Sequence, residues 1–346
     1  METAWFCLVA LSLTIYVVLD GYDLGAGMLH LFIAKSDAER ATLIRTIGPV
    51  WDGNEVWLLA SGGTIFAVFP VLYATAFSGF YLPLMMVLWL LVGRALGIEL
   101  RHQSEHPMWT SVWDVIFCLS SAALALFFGV ALGNVARGVP IEAEGAFFEP
   151  LWTNFSPSRG TGILDPYTIL AGCTATAALA QHGALWIVFK TEGDLRERAR
   201  RAARVAGWAA LGLTTILTLW TRSLQPQLRE QFGAHPWGYL FPILSIGGLA
   251  AAHHFRRKGR DLAAFAGSSA YLVGMMTSVA FSLYPYVLPS SLDPRSGLTV
   301  QAAAADPRSL GIALAWWLPG MALAVGYVVV LHRYFAGKVS PTGEHY

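Results

Sequence analysis

VVLDGYDLGAGML, residues 17–29, and IGPVWDGNEVWLL, residues 47–59, are apolar enough to cross a bilayer, yet they carry Asp20, Asp23, Asp52 and Glu55. An aspartate at the centre of a spanning helix costs roughly 2.5–3.5 kcal/mol even on insertion scales. Four acids this close together therefore require partners, water or proton traffic. A lipid-facing placement is disfavoured.

Composition around these stretches sets the class. The chain has 346 residues, of which 55% are hydrophobic, 13% aromatic and 13% charged, and its mean hydropathy is +0.52. Soluble domains carry about 25% charged residues, so the chain reads as an all-α polytopic membrane protein, a single integral-membrane domain over 1–346. A crossing needs about 20 mainly apolar residues. The spans expected are 4–33, 51–72, 76–98, 113–136, 165–189, 203–222, 237–255, 262–286 and 309–335, nine in all. No basic residue precedes the first, which reads as a retained helix and not as a cleaved signal peptide.

Nine crossings place the termini on opposite faces, and loop charge orients them. Alternate loops divide the 23 Lys and Arg residues into 17 on one side and six on the other, namely Arg137, Arg159, Arg222, Arg229, Arg295 and Arg308. The N-terminus is expected outside and the C-terminus in the cytoplasm. The basic loops, including LRERARRAAR at 195–204, then meet anionic lipids, and no nucleic-acid partner is needed to explain them.

Cys7, Cys118 and Cys173 show neither an even count nor a CxxC spacing and read as small packing residues. The longest outer segment, Arg137 to Asp165, holds Phe147, Phe148, Trp152 and Phe155 and suits an interfacial cap. No internal repeat is visible.

Gly21, Gly25 and Gly27 in the long first span allow close helix approach and favour a kink or break near Asp20. Asp20 and Asp23 share a helical face, as do Asp52 and Glu55. Asp52 lies about 10 Å, and Asp23 about 18 Å, along the chain from the nearest loop cation. The acids thus suit a proton ladder from the cytoplasm inward. Helix locking by hydrogen bonds from Asn54, Trp51, Tyr22 or Arg94 is the rival role, but Asn or Ser would serve that end, whereas buried carboxyls exchange protons. Arg94 and Glu99 in GRALGIELR, residues 93–101, suit a structural pair or an entrance. Of nine histidines only His182, in AQHGALW, reads as deeply embedded; His102, His106, His235, His332 and His345 read as loop or tail residues, and His30, His253 and His254 as near helix ends. One deep histidine makes no bis-histidine haem site, so neither haem ligands nor a metal site are expected here. It suits a core residue, a proton relay or a partner contact.

LDGYDLGAG (19–27), GPVWDGNEVWL (48–58), AFSGFY (76–81), FGVALGNVARGVP (128–140), HGALW (182–186) followed by KTEGDLRERA (190–199), and LYPYVLPSS (283–291) together resemble subunit II of the cytochrome bd-type quinol oxidases, the cyanide-insensitive branch included. The resemblance runs from about residue 12 to about 335. It implies nine spans in two four-helix bundles plus a peripheral helix, in a bacterial inner membrane. It also implies a heterodimer with a homologous subunit I, whose two b-type haems and one d-type haem oxidise quinol and reduce dioxygen to water. A small accessory subunit, a structural lipid or quinone, and the quinone used all stay open.

By the same resemblance, protons come from the cytoplasm along the subunit interface, through the positions of Asp20 and Asp52 with Asp23 and Glu55 beside them. This charges the membrane without a pump. Asp52 is the leading relay candidate. Two departures weaken the carry-over: Glu55 stands where Gln can occur, and the wording around Gln181 and His182 varies. Two rivals remain, a purely structural anchor subunit and a stand-alone proton-coupled transporter. The transporter would pair the first span with a second broken, acidic helix, but the later spans offer only Pro242, Pro285 and Pro319.

Overall fold

A computed structural model describes residues 1–142, 145–154, 162–224 and 226–339. Phe155, Arg159 and His345 lie outside the described residues, as does the side chain of Arg229. The helices are α1 (Glu2–Ile33), α2 (Asp37–Arg45), α3 (Trp51–Val68), α4 (Pro70–Gly79), α5 (Tyr81–Leu100), α6 (Pro107–Arg137), α7 (Pro166–Lys190), α8 (Gly193–Leu224), α9 (Pro226–Ala234), α10 (Leu240–Arg257), α11 (Asp261–Leu283), α12 (Val300–Ala303) and α13 (Pro307–Tyr334). Between α11 and α12, β1 (Tyr286–Leu288) and β2 (Leu298–Thr299) pair antiparallel.

Local chemistry sets many helix ends. Pro70, Pro107, Pro166 and Pro307 each open a helix, where the missing N–H is no loss. Asp165 caps α7 by accepting from the backbone N–H of Tyr167 and Thr168, while its own N–H donates to the Thr168 hydroxyl. On α2 the Ser36 hydroxyl accepts from the Glu39 N–H, while the Glu39 carboxylate accepts from the N–H of Lys35, one residue before the cap. At the end of α6, Gly138 adopts a φ of 89°, which a side chain would strain.

Among the described residues, six helices are long and apolar enough to cross a membrane: α1, α5 with the turn that follows it, α6, α8, α11 and α13. A bent α3–α4 pair makes a seventh. The expected span 51–72 is corrected by that bend: α3 stops at Val68, and α4 leaves at 119°. Pro70 has no N–H to continue the α3 ladder, and Phe69 leaves helical geometry at φ −128°, ψ 61°. The less apolar α7 contains Gln181 and His182, and α10 ends in HHFRR.

α1 is the axis of the fold. Residues 20–28 are buried without interruption, and α3, α6, α7 and α11 pack around them. Lipid is as apolar as leucine, so close packing of small residues holds such helices together. A Cβ on Gly25 would lie 2.1 Å from the Leu179 carbonyl oxygen, and one on Gly183 would lie 2.3 Å from the Gly25 carbonyl carbon. α1 and α7 therefore cross in backbone contact. α10 and α11 do likewise, where a Cβ on Gly248 would meet the Tyr271 nitrogen at 2.4 Å. The break expected near Asp20 does not occur: α1 runs unbroken, its glycines spent on approach and not on bending.

α13 is peripheral, with Leu310 alone buried among its residues. Lys190 holds its far end by donating to the carbonyls of Phe335 and Gly337 at 2.7 and 3.2 Å. In the outer segment Phe147 is buried against Phe80, while Phe148 and Trp152 are exposed. Cys118 is buried, but Cys7 and Cys173 lie on the surface and do not pack the interior.

Candidate functional site

Where α1 and α3 cross, Arg94 of α5 brings two of the four expected acids, Asp20 and Glu55, to one guanidinium, with Asp23 one turn along α1. Arg94 is fully buried on α5; its Nη1 donates to Asp20 Oδ1 at 2.6 Å and its Nη2 to Glu55 Oε2 at 2.7 Å. Asp23, one turn after Asp20, accepts from Asn54 Nδ2 at 2.8 Å. Asn54 and Glu55 are neighbours on α3, so one turn of that helix serves both α1 acids. Asp20 Oδ2 and Asp23 Oδ1 are buried with no protein partner. A carboxyl left in this way is a site where a proton can be taken up and released.

The group opens to the surface through α3. The Glu55 side chain is 18% exposed, and Asp52, in the first turn of α3, is exposed. Asp52 therefore turns away from the interior of the chain, unlike Asp20 and Asp23. Counting rise per residue gives depth along the axis and says nothing of which face turns outward.

Two other expectations change. Arg94 and Glu99 do not pair, since five residues turn a helix by about 140°; Arg94 faces α1 and α3, and Glu99 is exposed. His182 is enclosed and cannot touch a partner. Its Nε2–H donates to the Val18 carbonyl at 2.9 Å, and its Nδ1 meets the Ser268 hydroxyl at 2.7 Å. Both nitrogens are engaged within the chain, Nε2 by a carbonyl and Nδ1 by a hydroxyl.

Residues that sequence reasoning passed over complete the picture. His332 lies on α13 and not in a loop or tail; its Nε2 meets the Tyr22 hydroxyl at 3.0 Å. Tyr22 accepts from Asn54 at 2.7 Å and stacks on Trp186 of HGALW with centroids 4.1 Å apart. Below the acids, His30, Asp114 and Arg101 form a second buried cluster. Partners so far apart in sequence left no local signal. Among the described residues, no group of three or more His, Cys, Asp or Glu is placed to hold a metal ion.

The family model for "Cytochrome bd terminal oxidase subunit II" matches residues 1–335. The chain is 33% identical to the "Cytochrome bd ubiquinol oxidase subunit 2" of Bacillus subtilis, covering 98% of this chain and 97% of that one. It is 31% identical to the "Probable cytochrome oxidase subunit 2" of Haemophilus influenzae, covering 97% and 94%. Its fold is similar to a chain in the solved structure of bd oxidase from Geobacillus thermodenitrificans, with a TM-score of 0.78, 16% identity and coverage of 97% and 98%. The chain belongs to the cytochrome bd terminal oxidase subunit II family, as a non-catalytic subunit of an oxygen-reducing quinol oxidase and a multi-pass protein of the bacterial inner membrane.

Proposed function

We propose that the chain pairs with a haem-bearing subunit I, which holds the b-type and d-type haems, and conducts protons toward it from the cytoplasm through Asp52, Glu55, Asp20 and Asp23. The observation that carries this reading is the pairing of two carboxyls, Asp20 and Glu55, on one buried arginine, with Asp23 held by Asn54 one turn away, two carboxyl oxygens unpartnered and Glu55 reaching the surface of the chain. Reduction of one dioxygen to water consumes four protons, so a route for them through the dielectric core is required. Arg94 lowers the cost of negative charge there, and Asn54 fixes Asp23 on the same side of α1.

The same reading takes the chain as one integral-membrane unit with nine crossings, α7 and α10 completing the set, and with the N-terminus outside. The 17-to-6 division of basic residues supports that orientation. A cysteine placed at Lys338 should react with impermeant thiol reagents from the cytoplasmic side alone.

Asp52→Asn tests the route. It should slow quinol-driven oxygen uptake and leave subunit assembly and haem spectra unchanged; full activity would reject a relay role for Asp52. A structural anchor is the second reading, favoured by the complete use of both Arg94 Nη atoms as helix ties. Proton uptake during turnover separates the two, because an anchor predicts wild-type rates in any acid-to-amide variant that assembles.

A further inference from the structure

The carboxyl cluster is not the only buried ionisable group on α1. Asp23 and His30 are seven residues apart, which puts them on one face of the helix and about 10 Å apart along it. Asp114 and Ser121 repeat that spacing on α6, which packs against α1. His30 Nε2–H donates to Asp114 Oδ1 at 2.7 Å. Asp114 also accepts from Arg101 Nε at 2.6 Å and from Arg40 Nη1 at 3.3 Å. Arg101 reaches on to Asp37 at 2.5 Å, and the Asp37 side chain is 71% exposed on α2. Ionisable contacts thus run without a gap from the α2 face to a fully buried imidazole. Arg40, Arg101 and Asp114 are the charged groups that face it.

The other ring nitrogen has no such partner. Nδ1 of His30 is buried and unbonded, and the same holds for Ser121 Oγ, Asp23 Oδ1 and Asp20 Oδ2. A serine inside a helix commonly bonds the carbonyl four residues back. The Ser121 hydroxyl stands instead against Gly27 of α1, where a Cβ would lie 2.1 Å from it. Gly27 is four residues past Asp23 and three short of His30, so the unpaired atoms follow one another along a single seam. The Phe117 ring packs edge-on to His30, with centroids 5.4 Å apart, and reaches Gly27 beside Ser121.

We propose that the α1–α6 seam is the inward leg of the proton route, in which His30 takes protons at Nδ1 and Ser121 relays them through water to Asp23 and Asp20. This rests on the proton-uptake reading and names residues that the acidic ladder lacks. A proton from water adds to Nδ1, and the Asp114 carboxylate holds the resulting imidazolium through Nε2–H. The Nδ1 proton then passes by way of water at Ser121 to a carboxylate oxygen of Asp23 or Asp20, making an O–H bond and restoring the neutral ring. No electron moves, and one positive charge goes inward per cycle.

The test uses the purified oxidase complex with its haem-bearing subunit. His30→Gln keeps an N–H for Asp114 but cannot carry a proton, and Ser121→Ala removes one hydroxyl from an otherwise unchanged contact. Both should lower quinol-driven oxygen uptake, His30→Gln by about tenfold or more. Both should also raise the solvent deuterium isotope effect, while dioxygen binding to the reduced haem keeps its wild-type rate. Asp20→Asn is measured in parallel. If it is slow and both seam variants turn over at the wild-type rate and isotope effect, the seam proposal falls and the uptake reading survives; if Asp20→Asn is also unimpaired, both fall. Should His30→Gln not assemble, Ser121→Ala alone decides, and an unchanged rate and isotope effect overturn the proposal.

Discussion

Arg94 and Arg137 are both buried, and both face two carboxylates, but they sit in opposite kinds of surroundings. Arg137 binds Glu149 and Asp165 and donates to Asn134 and to the Gly138 and Gly162 carbonyls. Asp165 spends its other oxygen on the first backbone N–H groups of α7. The bonds to Glu149, Gly162 and Asp165 tie the end of α6 to the outer segment and the start of α7. Around Arg94, Asp20 and Asp23 each keep an oxygen unbonded, and Glu55 reaches the surface. The same ionic chemistry thus makes Asp165 a fastener and, on the proposed reading, Asp20 and Asp23 proton sites, and the difference between these aspartates lies in what the second carboxyl oxygen touches.

Removing either cation gives the largest expected effect. Arg94→Gln and Arg137→Gln each strand buried carboxyls, at about 3–5 kcal/mol, and should lower complex yield and Tm in detergent. An Arg94→Gln complex of unchanged Tm would show that its carboxyls never needed the charge. Next comes a control away from both arginines: Gly248→Ala forces α10 off α11 and should cost about 1–3 kcal/mol in thermal unfolding, with oxygen uptake per haem unchanged.

The contrast sharpens with amide and alanine variants of the acids. Asp20→Asn should slow oxygen uptake about tenfold, equivalent to about 1.4 kcal/mol of barrier, with little change in Tm. Asp165→Ala should do the reverse, since it removes a helix cap worth about 0.5–2 kcal/mol yet leaves turnover per haem intact. Equal effects of the two on turnover would erase the distinction.

The smallest effect belongs to an ion pair at the protein's edge. Burial alone would raise the Glu39 carboxyl, but the Lys35 N–H and the Arg198 guanidinium hold it below its ordinary range. A lowered folded value contributes stability that is present above the unfolded value, about pH 4.3, and is lost as the pH falls through the folded one. Glu39→Gln should therefore cost under about 1 kcal/mol at pH 7. That cost should vanish on acidification, as seen by Tm against pH.

Much of the fold was legible because crossing a bilayer demands long apolar runs. Of the nine expected spans, eight correspond to single helices, with boundary shifts of up to about ten residues at the start of α8. The ninth, 51–72, breaks at Phe69–Pro70, where the proline was visible but hydropathy averaged across it. In the site, Asp20, Asp23 and Glu55 were found from their cost in lipid, and Arg94 and Asn54 were named as partners for locking. That Asp52 turns outward, and that Arg94 bonds Asp20 and Glu55 and not Glu99, could not be read, because helix rotation is set by neighbouring helices. His30 was read as a helix-end residue, and Asp114 drew no notice near the start of an apolar helix. Their meeting depends on how α1 and α6 are set against each other.

The His332 contact has a mechanical consequence. α13 is wetted by its surroundings along nearly its whole length, yet its inner end is bonded through Tyr22 to the same amide that orients Asp23. Helices respond to a thinner or thicker membrane by changing tilt. A change in the tilt of this outlying rod would therefore load the Tyr22–Asn54 contact, and a helix at the rim of the fold is mechanically joined to a carboxyl at its axis.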